Sequence, residues 1–169
     1  MIVSGEIFAA GSIAFISDLN GRYGSSSYDG RVTDAIETII QLQPDLVIST
    51  GDMVAGQRHP RLDVDVLNRM WRSFNHSVTD PLSMKGIPIL VTPGNHDGSG
   101  FPEYALEQKR FAIEWRARTP DIDILPGSEW PRRYAARMGK MLLLSFDGTR
   151  PGACLLYTSP SPRDNDWYL

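Results

Sequence analysis

The 169-residue chain contains one cysteine, Cys154, and three histidines, His59, His76 and His96. A single thiol excludes an intrachain disulfide and leaves the redox compartment open. No apolar run approaches the ~20 residues of a membrane-spanning helix, so no membrane partner is expected. The opening M-I-V-S-G-E-I-F lacks a cationic start before an apolar stretch. It gives no sign of a signal peptide and makes the cytoplasm the default location. Positive charge is also short: 17 Lys and Arg against 20 Asp and Glu give a net charge of -3. That balance excludes a broad basic face, so no dedicated nucleic-acid surface is expected, while a small phosphate site remains compatible.

What remains is an ordinary globular composition, 41% apolar and 22% charged, long enough for one domain with a core and too short for two. The last stretch stands apart. Residues 154 to 164 read C-L-L-Y-T-S-P-S-P-R-D, which resembles the translation of a transposase adapter used to build sequencing libraries. Residues 154–169 are therefore expected to be a non-native tail and are set aside. Residues 1–153 are taken as the N-terminal portion of one domain.

Three short apolar runs end in polar turns. S-I-A-F-I-S (12 to 17) stops at Asp18-Leu19-Asn20-Gly21. D-L-V-I-S-T (45 to 50) stops at Gly51-Asp52, and I-P-I-L-V-T (87 to 92) stops at Gly94-Asn95-His96-Asp97. Each run reads as a buried strand. Helical spacing follows each one. Val32, Ala35, Ile36, Ile39 and Ile40 form the first face, closed by Pro44. Leu62, Val66, Met70, Phe74 and Val78 form the second, and Tyr104, Phe111, Ala112 and Trp115 the third. Strand, loop and helix repeated three times predict βαβ units and a parallel sheet, with right-handed crossovers placing all three strand ends on one rim. Residues 132 to 138, Gly139-Lys140 and 141 to 147 predict a hairpin that opens a second, antiparallel sheet.

Ligands of open α/β sheets bind at the carboxyl ends of the strands. Asp and Asn oxygens beside a His nitrogen suit divalent cations such as Mn, Fe, Zn or Mg. Two cations ~3.5 to 4 Å apart clamp a phosphate ester and generate a hydroxide, given a carboxylate that bridges them. Asp52, on the middle strand end, is the bridging candidate, with Asp18 on one ion and Asn95 on the other. His96 would face the leaving oxygen, and Asp97 would orient it through the other ring nitrogen. Taken singly, Asp18 could cap a turn, Asn20-Gly21 could mark a hairpin and Asp52 could cap a helix. His59 reads as a surface loop residue and His76 as the cap of a solvated helix end. Arg22, Tyr23 and Tyr28 either touch substrate or belong to a connector.

Asp18-x-Asn20, Gly51-Asp52 and Gly94-Asn95-His96-Asp97, each ending a strand, resemble the first three motifs of the calcineurin-like metallophosphoesterases. The resemblance spans roughly residues 12 to 150. It implies an α/β/β/α sandwich, of which this chain holds the N-terminal part. It further implies a dinuclear metal centre with Asp18, Asn20, Asp52 and Asn95 as ligands, catalytic His96 partnered by Asp97, and a phosphoester substrate attacked by a metal-bound hydroxide. Asn20 stands where the family pattern D-x-H has histidine. Neither His59 nor His76 falls where the family places its later histidine ligands. The chain as written is therefore expected to be inactive or nearly so. A non-catalytic binding or scaffold member with a degraded first metal site is the alternative. An aspartate-nucleophile phosphatase is disfavoured because Asn20 occupies the place of its second carboxylate.

Overall fold

The computed structural model describes residues 11–149. The predicted tail, and its boundary at 153/154, lie outside the described residues. Strands β1 (Ile13–Ile16), β2 (Leu46–Ser49) and β3 (Ile89–Val91) form a parallel sheet in the order β1-β2-β3. The register pairs Ile13 with Leu46 and Val47 with Ile89. Because side chains alternate along a strand, Ala14, Ile16, Val47 and Val91 face one side and Ile13, Leu46, Ile48 and Leu90 the other.

The first side meets the helices. Helix α1 (Gly30–Leu42) starts where the Asp29 carboxylate accepts the Arg31 N–H. It stops where Gln43 turns left-handed ahead of Pro44. Helix α2 (Val64–Phe74) is capped by Asp63 on the Val66 N–H, at 2.7 Å. The second helical face, read from Leu62 to Val78, continues beyond α2 through a wide turn (Asn75–Thr79) into α3 (Asp80–Met84). Pro81 is the physical reason. It has no N–H to donate, and its ring would strike the carbonyl four residues earlier. The backbone widens there, and the Asp80 N–H reaches back to the Asn75 carbonyl. His76 is accordingly an exposed residue within this turn, not the cap of a helix end. Helix α5 (Ala105–Arg116) contributes Phe111 and Trp115, which pack with Trp71 and Phe74 of α2. All four are at most 1% exposed and form the centre of the larger core.

The other side of the sheet meets a second, antiparallel sheet, β4 (Asp123–Ile124), β5 (Tyr134–Met138) and β6 (Met141–Ser145). Leu46 and Leu90 pack on Tyr134 and Ala136 across the two layers. Gly139, at φ 56°, makes the tight turn of the predicted hairpin. Leu142, Leu144 and Phe146 are exposed on the outer face, so among the described residues no helix covers it. The architecture is α/β: helices, a parallel sheet and a small antiparallel sheet.

Tyr134 ties the layers together. Its hydroxyl donates to the Val91 carbonyl at 2.8 Å, and burial pushes the phenol up to about 12. Tyr134→Phe leaves that buried carbonyl without its partner. It is expected to lower unfolding stability by about 1 kcal/mol, read by urea denaturation.

Candidate metal centre

The three strand ends meet through their own backbone. The Asp18 N–H donates to the Gly51 carbonyl at 3.2 Å, and the Asn20 N–H to the Asp52 carbonyl at 3.1 Å. The His96 N–H donates to Asp52 Oδ1 at 3.0 Å. Asp52 is therefore the hub, with a bond to each neighbouring turn. Asp18 and Asp52 both adopt left-handed backbone, at φ 54° and 53°. Non-glycine residues rarely do so, and such strain concentrates at functional sites.

The approach of the second and third turns is close enough to require glycine on both sides. A Cβ on Gly94 would overlap the Asp52 carboxylate and backbone nitrogen. One on Gly51 would overlap the Gly94 nitrogen. Asn95–Gly98 forms one helical turn, α4, where the sequence suggested only a bend.

His96 and Asp97, adjacent in sequence, do different work. Successive residues on a helical turn point about 100° apart. Asp97 turns inward, 1% exposed, and accepts N–H groups from Met53 (2.6 Å), Gly94 (2.9 Å) and Val54 (3.4 Å). Burial pushes its carboxyl up to about 7, helped by the neighbouring charge of Asp52 and opposed by those three donors. Asp97 thus clamps the second strand-end loop to the third. It is not the hydrogen-bond partner of His96 that adjacency suggested. The His96 ring instead places Nδ1 3.0 Å from the Gly56 carbonyl. A carbonyl can only accept, so Nδ1 carries the proton and Nε2 is the atom left to act. The Tyr23 ring lies against the imidazole, centroids 4.7 Å apart.

Two residues of this machinery carried no signal that was read from the sequence. Gly56 supplies the carbonyl that orients His96, and a Cβ there would overlap the His96 carbonyl and come within 2.7 Å of Glu107 Oε2. Gln57 bonds to Asn95, Ser99 and Glu107. Burial raises the Glu107 carboxyl, against the Gln57 N–H and the charge of His96. The remaining histidines do not join the rim: His59 Nε2 lies 2.9 Å from the Tyr104 hydroxyl, and His76 is exposed on its wide turn.

Asp18, Asn20, Asp52 and Asn95 offer two carboxylates and two amide oxygens, a donor set that fits a hard divalent cation. Among the described residues, no three His, Cys, Asp or Glu side chains form a metal-holding group. The fit therefore depends on the two asparagines as oxygen donors. No described helix is long and apolar enough to cross a membrane. No curated protein matches the chain. The family model for calcineurin-like phosphoesterases matches residues 11–152, the described sheets and all three strand-end turns included, and the chain belongs to that family.

Proposed function

We propose that the chain carries out metal-dependent hydrolysis of a phosphoester at the rim formed by Asp18, Asn20, Asp52, Asn95 and His96. The observation that carries this reading is the convergence of three distant turns on the Asp52 carboxyl and backbone, two of them held in left-handed geometry. Family membership supports phosphoester chemistry in general. Bound divalent cations would supply positive charge to the phosphate oxygens and acidify a water.

The protein's own groups do the rest. Asp52 has Oδ1 committed to the His96 N–H, which leaves Oδ2 as its second acceptor. Asp18 and Asn20 hold one flank and Asn95 the other. His96 keeps Nδ1–H on the Gly56 carbonyl and presents Nε2 to the leaving group; in its doubly protonated form the ring donates the Nε2 proton to the leaving oxygen or stabilises its charge. Asp97 keeps the two loops in register from below. The cation is Mn, Fe, Mg or Zn, and the oxygen-rich donors favour the harder ones. Turnover by these 169 residues is expected to be weak, because His96 is the one imidazole brought to the rim by the described residues.

A second reading is favoured by one observation: Asn20 replaces the imidazole expected in the first motif, so the fold could bind a phosphorylated partner without cleaving it. Calorimetric titration with Mn2+, followed by assay of p-nitrophenyl phosphate and its bis ester, separates the two. Saturable binding with Mn2+-dependent release of p-nitrophenol is the expected result. Binding without any release favours the second reading. Absence of saturable binding at millimolar Mn2+ overturns the metal-dependent reading.

A further inference from the structure

We infer that Gln57 is a positioning residue that sets the direction of the Asn95 amide oxygen, an inference that rests on the metal-centre reading above.

The geometry is specific. Asn95 Nδ2 donates to Gln57 Oε1 at 3.0 Å. An amide has one oxygen and one nitrogen, so committing Nδ2 to Gln57 turns Oδ1 away from it. Oδ1 has no hydrogen bond among the described residues and is the atom that could meet a cation. A free asparagine could equally present its NH2 group, which repels a cation. Gln57 removes that ambiguity.

Gln57 is itself tightly held. Its Nε2 donates to Ser99 Oγ at 3.0 Å, and its backbone N–H donates to Glu107 Oε2, also at 3.0 Å. Ser99 and Glu107 are both buried, at 1% and 4% exposure. The residue sits at φ 60°, a conformation costly for glutamine. Three hydrogen bonds keep it there, as expected when surroundings over-determine a strained residue at a functional site. Its neighbour Gly56 orients His96 through a carbonyl. The Gly56-Gln57 pair thus aims two consecutive residues of the third turn: the backbone of one fixes an imidazole, and the side chain of the other fixes an amide.

The test uses variants that keep the left-handed backbone. Gln57→Gly adopts φ 60° without strain, which offsets part of the two side-chain hydrogen bonds it loses, so the variant should remain folded by urea denaturation and competent to bind. Its affinity for Mn2+ should fall about 10-fold, the low end of the loss expected when a ligand's orienting partner is removed. Gln57→Glu keeps an oxygen to accept Asn95 Nδ2 and should hold Mn2+ affinity within about twofold of the parent. In the metal-free chain, the Asn95 side-chain NH2 resonances should be shifted and slow to exchange with water. They should lose both properties in Gln57→Gly and keep them in Gln57→Glu. If Gln57→Gly binds Mn2+ within twofold of the parent, or if the Asn95 amide resonances are unchanged, the positioning role is overturned while the metal centre stands. A parent chain that does not bind Mn2+ at all sinks the metal-centre reading, and this inference with it.

Discussion

Asp52→Asn is expected to weaken Mn2+ binding on the order of 100-fold, and to reduce whatever phosphoester turnover the chain shows on the order of 1000-fold, without unfolding it. The substitution is nearly isosteric. Asparagine tolerates left-handed backbone, so φ 53° at this position adds little strain. Its Oδ1 can still accept the His96 N–H, and its carbonyl can still accept the Asn20 N–H. What disappears is the negative charge and the second acceptor oxygen. A site of two carboxylates and two amides is left with Asp18 as its only charged donor. Urea denaturation of Asp52→Asn should fall within about 1 kcal/mol of the parent, because hydrogen bonds are kept and no cavity is made. Asp52→Ala is the contrasting case. It also strands the His96 N–H and places alanine in left-handed backbone, so it should lose stability as well as affinity. If Asp52→Asn binds Mn2+ as the parent does, Asp52 is not at the centre of the site.

The parallel sheet was legible because its strands are nearly pure apolar runs that stop at Gly, Asn or Asp. Ile13–Ile16 and Leu46–Ser49 lie one residue inside the runs at each end, since the outermost residues already belong to turns. The convergence of the three turns followed from strand order and handedness alone. Two kinds of information were not available in one dimension. The first is the effect of Pro81, which reads as a helix stop but here widens a helix that continues beyond it. The second is the direction of side chains within a tight turn. Asn95, His96 and Asp97 look like one cluster in sequence, yet the helical turn sends Asp97 into the core and leaves Asn95 exposed. Gln57 is invisible for the same reason. It follows a stretch, Met53–Val54–Ala55–Gly56, that is entirely buried although it belongs to no strand or helix. A buried apolar loop directly after Gly51-Asp52 was the available sign that residues beyond it are held against the site.

Gly51→Ala is expected to destabilise the fold by about 3 kcal/mol or more and to abolish cation binding. Two separate penalties act at this one atom. At φ 114° the backbone is in a region that L-residues other than glycine rarely enter. The added Cβ would also lie 2.5 Å from Gly94 Cα and 3.1 Å from the Pro93 carbonyl carbon. Those neighbours are backbone, so no rotamer change relieves the overlap; the loops must separate. Separation pulls the Gly51 carbonyl from the Asp18 N–H and the Asp52 carboxylate from the His96 N–H, so the three strand ends lose register together. It also opens the Asp97 clamp between Met53 and Gly94, exposing a carboxyl whose donors come from both loops. Gly30→Ala is the control. Gly30 opens α1, its added Cβ would meet nothing within 4 Å, and alanine there should be neutral or stabilising by up to ~1 kcal/mol. Urea denaturation of both variants, with Mn2+ titration of whichever remains folded, decides the matter. A Gly51→Ala chain that unfolds within 1 kcal/mol of the parent and binds Mn2+ normally would mean that the two loops are not held in contact.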